Sequence, residues 1–340
     1  MSNKGDNYNN GTGANKLTKK WHLIENDLAL VEDQLKLVVE SSGPEIKMVG
    51  EYIINGRGKR IRPALFLVAA QRNGLELAPL VGVASALELL HTASLLHDDV
   101  IDRAAIRRGK ETVHLHWNNK IAVLSGDFIL SQVFKILVDI KNWQLMDIVV
   151  GMTQKLAEGE VEQAFCDISS ENLEARYFSW IGKKSASFFA GCCEAGSLLG
   201  GDDHDQQKIW ASFGFNLGIA FQLVDDLLDY TGSDRLTGKP LYGDLKNKVL
   251  TLPLIRAIAE SEGKKKLILE YFMKHECSSE ETICNAASVV CQSSGIEYTR
   301  SKAGYYADMA IRDLGRLMQV SSEKRSVLEE ITRELMSRRG

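Results

Sequence analysis

Leu95-Leu96-His97-Asp98-Asp99-Val100-Ile101-Asp102 sets three carboxylates within five residues, with Arg107-Arg108-Gly109 just behind. The run leading into it, Val83 to Leu96, is interrupted by one acidic residue, Glu88, and otherwise reads as an apolar helix. Asp98 and Asp102 are four apart, so at about 100° per residue they share one helix face, with Asp99 at its edge. Three acids at the end of a buried helix repel one another and resist leaving water. A chain tolerates that arrangement when a cation neutralises it. The plain alternative is a solvated helix end, where aspartates are common.

A second copy weakens that alternative. Phe221-Gln222-Leu223-Val224-Asp225-Asp226-Leu227-Leu228-Asp229 repeats the Asp-Asp-x-x-Asp spacing and again ends an apolar, helix-periodic run, beginning near Trp210. Two such clusters meet only if their helices pack together, and six carboxylates then line one cavity mouth. Hard oxygen ligands suit Mg²⁺, which holds few protein carboxylates and completes its shell with water and substrate phosphates. The expectation is several Mg²⁺ ions gripping a polyphosphate.

Around these motifs the chain is helical. With 340 residues it has length for one large domain or two. Apolar residues make up 44% and charged residues 25%, as in ordinary globular proteins, and the net charge of −4 gives no reason to expect nucleic acid. Few prolines and little strand-like alternation favour helix throughout. Helices are predicted from about 17 to 43, 44–54, 62–73, 77–102, 120–140, 143–166, 173–199, 204–230, 250–261, 264–274, 279–292, 296–318 and 321–338, joined by short loops, with 231–245 among them. No Pro/Ser-rich linker divides them, which argues for one all-α domain over 17–340. Residues 1–16, rich in Asn and Gly without an apolar core, read as a disordered tail rather than a secretory signal. The six cysteines form no C-x-x-C pair and fit a reducing, cytoplasmic compartment. No apolar run of membrane-spanning length is expected.

Basic residues answer the acids. Gly58-Lys59-Arg60-Ile61-Arg62-Pro63 opens a helix after a Gly-flanked turn, a setting that favours phosphate, although a solvated basic loop is an equal reading of that motif alone. Arg107 and Arg108 serve either an anion or a salt-bridge network with the aspartates. A lone histidine on an apolar helix, such as His91, is more often a satisfied core residue than a ligand. Lys183-Lys184-Ser185, Lys239, Asp244 and Lys248 are each weak signals alone. Together, acid clusters alternate with basic clusters on an apolar helical scaffold, which suits two substrates with polyphosphate heads and apolar tails.

At this point the sequence resembles the trans-isoprenyl diphosphate synthases, most of all their long-chain polyprenyl branch. The motifs are G-K-R-x-R-P, L-x-H-D-D-x-x-D with R-R-G behind it, G-D-F at Gly126-Asp127-Phe128, F-Q-L-x-D-D-x-x-D, G-K-P, and G-D-L…T-L-P between Gly243 and Pro253, and the resemblance runs from about Leu17 to the carboxyl terminus. It implies the isoprenoid synthase type of helical bundle with a central cavity. It also implies that Asp98, Asp99, Asp102, Asp225, Asp226 and Asp229 bind Mg²⁺ bridging an allylic diphosphate. Arg107, Lys184, Ser185, Gln222 and Lys239 would contact that substrate, with Lys184, Lys239 and the aspartates other than Asp229 counted as catalytic. Lys59, Arg62, His91 and Arg108 would hold isopentenyl diphosphate, which reverses the reading of His91 as core. A quinone side chain is the implied destination of the product, and a homodimer or a heteromer with a second subunit the implied assembly.

One departure stands out. Many members have a lysine two positions before the threonine of T-L-P, where this chain has Val249, with Lys248 one residue early. Either Lys248 reaches the diphosphate from its neighbouring position or the contact is lost. About one turn before Asp98 lie Ala93 and Ser94, where short-product members are expected to carry an aromatic ring, so the resemblance implies an open tunnel, with Leu87, Leu90 and Phe134 as possible floor residues. Rival readings are a medium-chain, geranylgeranyl-type synthase, a subunit of a two-component synthase, and a terpene cyclase. The last normally lacks the second full aspartate motif and G-K-R-x-R-P.

Overall fold

A computed structural model describes residues 23–40, 42–54, 58–70, 74–232, 241–275, 279–318 and 320–337. The tail assigned to 1–16 therefore lies outside the described residues. The first helices are α1 (Glu25–Glu40), α2 (Pro44–Ile54), α3 (Ile61–Ala69) and α4 (Leu77–Ile101). A small hairpin, β1 (Ile106–Arg107) and β2 (Lys110–Glu111), and α5 (Val113–His116) follow. Then come α6 (Asn119–Ile140), α7 (Trp143–Ala164), α8 (Leu173–Ile181), a π-helical turn (Gly182–Ala186), α9 (Ser187–Gly200) and α10 (His204–Thr231). The chain ends with α11 (Gly243–Lys246), α12 (Leu252–Glu260), α13 (Gly263–Lys274), α14 (Glu280–Cys291), α15 (Gly295–Arg316) and α16 (Ser322–Ser337).

Short polar caps start several of these helices where the periodicity predicts. Asn118 accepts from the Ile121 amide at 2.9 Å and Asn142 from the Leu145 amide at 3.0 Å, each satisfying a donor that the first turn leaves open. Two expectations need correction. The predicted helix over 173–199 is α8 and α9 with the π-turn between them. The stretch between α4 and α6, read as a plain loop, holds the hairpin. Its turn residues Arg108 and Gly109 have φ of 52° and 78°, the positive values a tight two-residue hairpin demands.

Packing forms a closed round: α4 against α6, α6 against α7, α7 against α9, α9 against α3, and α3 against α4. α10 packs against α9 and the π-turn and is backed in turn by α15. The close approaches depend on missing side chains. A Cβ on Gly196 would meet Phe66 O at 2.3 Å, and one on Gly218 would meet Ala186 Cα at 2.6 Å. Leu80, Val83, Leu87 and Leu90 of α4 and Trp210, Phe213, Leu217 and Leu223 of α10 are buried, so both aspartate motifs end helices rooted in the core.

Contrary to the expectation of no span-length run, α4 and α6 are each long and apolar enough to cross a membrane. Inside the fold, 67% of the apolar window of α4 and 33% of that of α6 is buried. α6 leaves Val123, Leu124, Phe134 and Val138 exposed, and α7 leaves Trp143, Val150 and Val161 exposed, with Phe165 just past its end.

Candidate active site

In both aspartate motifs the middle residue turns inward. Asp99 is buried, and its Oδ1 accepts from Arg107 Nε at 2.5 Å, tying α4 to the hairpin. Asp226 is buried too. Its Oδ2 accepts from the Tyr177 hydroxyl at 2.6 Å and its Oδ1 from Gln222 Nε2 at 2.9 Å. The outer residues are more open. Asp102 and Asp225 are exposed, and Asp98 and Asp229 are half-buried. Asp229 Oδ2 accepts from the Asp244 amide at 3.1 Å, which fastens the start of α11.

The π-turn joins the two motifs. Lys184 lies 2.6 Å from Glu160 Oε1 on α7 and within electrostatic reach of Asp98 and Asp102. Its neighbour Ser185 donates to Gln222 Oε1 at 2.7 Å, and Gln222 holds Asp226. Residues 184 and 185 thus bear on both motifs, Lys184 on the first by electrostatic attraction and Ser185 on the second by hydrogen bonding through Gln222. A π-turn at such a place is common at functional sites, because its extra residue re-aims side chains.

The carboxyls are short of positive charge. Burial pushes Asp98 up to about 7, with the Glu160 carboxylate as the next cause and Lys184 only partly opposing them. Burial raises Asp226 to about 6 against the hydrogen bonds from Tyr177, Gln222 and the Leu252 amide. Among the described residues no group of three or more His, Cys, Asp or Glu lies close enough to hold a metal ion unaided. Buried acids that resist their own charge, in a site that leaves most of a coordination shell to other ligands, fit a hard divalent cation that brings water and phosphate with it.

The basic residues act together on His91. Arg60 is buried, its Nη1 2.7 Å from Glu88 Oε1 and its other nitrogens on Glu32. Burial opposes its charge, and the two carboxylates more than offset that. Arg62 is stacked on Phe188 and Phe189, 5.2 and 5.1 Å from the ring centroids, and its Nε is buried without a hydrogen-bond partner. Burial lowers the Arg62 pKa despite the Glu88 and Asp225 charges. His91 meets Phe188 edge-on at 6.1 Å. Burial first, and then Arg62, Arg108, Arg107 and Arg60, hold it well below the usual histidine range, so it is neutral at pH 7. Arg60 and Arg108 take left-handed backbone conformations, with φ of 48° and 52°, which are uncommon for side chains of this size and cluster at functional sites.

Lys59 is exposed beside this group. Lys239 lies outside the described residues. Lys248 donates to Phe272 O at 2.7 Å and to His275 O, which ties its ammonium to the carboxyl end of α13. Ala93 is buried, and Ser94 Oγ donates to His91 O at 2.9 Å.

Sequence reasoning passed over Glu160, Gln163 and Tyr177. The acidic run Glu158-Gly159-Glu160-Val161-Glu162-Gln163 looks like a solvated helix face until α7 is laid against the π-turn. Glu88 gave a signal, as the one acid in an apolar run, and it proves to face the arginines.

Comparison with known proteins gives the family of the chain and its fold. The family model described as polyprenyl synthetase matches residues 43–290. The chain is 32% identical over 306 residues to octaprenyl diphosphate synthase of Haemophilus influenzae, covering 90% of this chain and 92% of the relative. It is 30% identical over 319 residues to heptaprenyl diphosphate synthase component 2 of Geobacillus stearothermophilus, covering 93% and 97%. Among solved structures, a polyprenyl synthase from Caulobacter crescentus complexed with calcium and isoprenyl diphosphate superposes with a TM-score of 0.88 at 33% identity, covering 98% of this chain and all of that one.

Proposed function

This chain belongs to the polyprenyl synthetase family and is a prenyltransferase, and we propose the residues and the metal with which it works. It condenses an allylic diphosphate with successive isopentenyl diphosphates to give a long-chain all-trans polyprenyl diphosphate. The observation that supports the assignment of residues is the π-turn, where Ser185 bonds to Gln222, the partner of Asp226, while Lys184 is drawn toward Asp98 and Asp102; the positive charge of four arginines acting on a neutral His91 supports the isopentenyl side.

The outer aspartates Asp98, Asp102, Asp225 and Asp229 would hold Mg²⁺, while Asp99 and Asp226 anchor the two motifs to Arg107 and to Tyr177 and Gln222. A divalent cation held there would supply positive charge to the departing diphosphate. Arg107 and Lys184 add fixed positive charge where the leaving oxygens become more negative. Arg62, Arg108, Lys59 and the uncharged His91 hold the diphosphate of isopentenyl diphosphate, and the buried Arg62 Nε is a donor ready for it. The allylic C–O bond breaks, the isopentenyl double bond attacks the resulting cation, and a proton leaves to the released diphosphate. The buried surfaces of α4 and α10 keep water from the cation.

The test is direct. Purified protein is incubated with Mg²⁺, farnesyl diphosphate and labelled isopentenyl diphosphate, and the products are sized. Products longer than geranylgeranyl diphosphate are expected, and products that stop there favour the medium-chain reading. The similarity to a heptaprenyl synthase component supports a second reading, in which a partner subunit is needed. Absence of product from the chain alone, with activity restored by a partner, would establish it. A cytoplasmic setting and a quinone side chain as destination complete the proposal, and they are tested by fractionation and by quinone analysis of a strain lacking the chain.

A further inference from the structure

We propose that Glu160 is a positioning residue that holds the Lys184 ammonium at the allylic diphosphate and keeps it off the first aspartate motif. The inference rests on the reading of Lys184 as a contact of the allylic substrate. Three observations carry it. The first is the Glu160–Lys184 ion pair itself, at 2.6 Å, with Gln163 Oε1 accepting from the same ammonium at 3.4 Å. The side chains of Lys184 and Glu160 are 30% and 23% exposed, so water screens the pair less than it does an open surface contact.

The second is the platform beneath it. α7 comes so near the π-turn at Gly159 that a Cβ there would sit 2.9 Å from the Lys184 amide nitrogen and 3.0 Å from Trp180 O. The third is the division of the neighbouring lysines. Lys183 goes to Glu162 at 3.0 Å, which also takes the Ser179 hydroxyl at 2.9 Å, while Lys184 goes to Glu160. Successive lysines drawn to different acids on one helix fix the rotation of the turn between them. Without Glu160, the strongest attraction left on Lys184 comes from Asp98 and Asp102, the residues that must receive a cation.

The decisive experiment is a double-mutant cycle with separate KM measurements for farnesyl diphosphate and isopentenyl diphosphate. Glu160→Gln should raise KM for farnesyl diphosphate about ten- to a hundredfold, the usual scale for losing a group that orients a ligand-binding one. KM for isopentenyl diphosphate and the thermal midpoint should stay unchanged, and Glu160→Asp should recover part of the loss. The pair Glu160→Gln with Lys184→Gln should be no worse than Lys184→Gln alone. Losses that multiply in the double variant, or equal rises in both KM values, would overturn the role of Glu160 while leaving the enzyme assignment standing. A wild-type protein that elongates nothing would overturn the assignment and this inference together. If Glu160→Gln does not fold, Glu160→Asp runs the same cycle.

Discussion

Asp98 is asked to ionise where burial and Glu160 resist it, and two outcomes follow. Its carboxyl, near 7 in the folded chain, lies above the ordinary carboxyl range. Between those values the native state binds more protons than the unfolded one, so this group's contribution to stability falls as pH rises toward 7 and levels off above. A divalent cation takes the deprotonated form, so its stabilising effect should grow over the same interval. Metal-free protein should therefore lose thermal stability between about pH 5 and about pH 8 relative to an Asp98→Asn variant, and added Mg²⁺ should raise the midpoint more at the upper end. Calorimetry of both proteins checks this. Asp98→Ala or Asp225→Ala should lower kcat by about a thousandfold or more, and near-normal turnover would refute the metal assignment. At this scale the aspartates were legible because spacing alone places them on a helix face. Glu160 was not, because an acid on an amphipathic helix has the same composition whether it faces water or a lysine.

Helices were legible where apolar periodicity ran unbroken, as in α4 and α10, and their starts where Asn or Ser stood before the run. The π-turn was hidden because an extra residue inside a helix leaves no mark on composition, and Gly182 reads equally well as regular helix. The hairpin was hidden because two-residue strands are too short for alternation to show, leaving Arg108-Gly109 as its one sign. An element-scale expectation concerns Gly159. Gly159→Ala forces α7 away from the π-turn, at a cost of about 1–3 kcal/mol for overpacking. It should also raise KM for the allylic substrate more than for isopentenyl diphosphate, which steady-state kinetics with each substrate varied in turn would show.

For the whole molecule, the exposed apolar residues of α6 set the next expectation. Leu124, Phe134 and Val138 on α6 leave apolar side chains exposed along one helix, and a second copy of the chain is the occupant we expect. Phe134→Asp with Val138→Asp should shift the protein toward monomer in sedimentation velocity. Product length belongs to this scale as well. Ala93 sits buried one turn before the first motif, and Ala93→Phe should shorten the products in a chain-length assay, whereas an unchanged distribution counts against a tunnel there. The all-α architecture was legible, whereas the partnership of α7 with residues 182–186 was not, since nothing in the composition of either segment marks the face that docks. That partnership has a consequence for how the chain tolerates length changes. Deleting one residue from 182–186 would let the backbone hydrogen bonds run as an ordinary α-helix through to α9, a local gain in regularity. It would also swing everything on one side of the cut by about 100° relative to the other. Lys184 and Ser185 would lose their phase with Phe188 and Phe189, so the irregular turn acts as the gearing that lets one continuous rod serve both substrates' ends of the site.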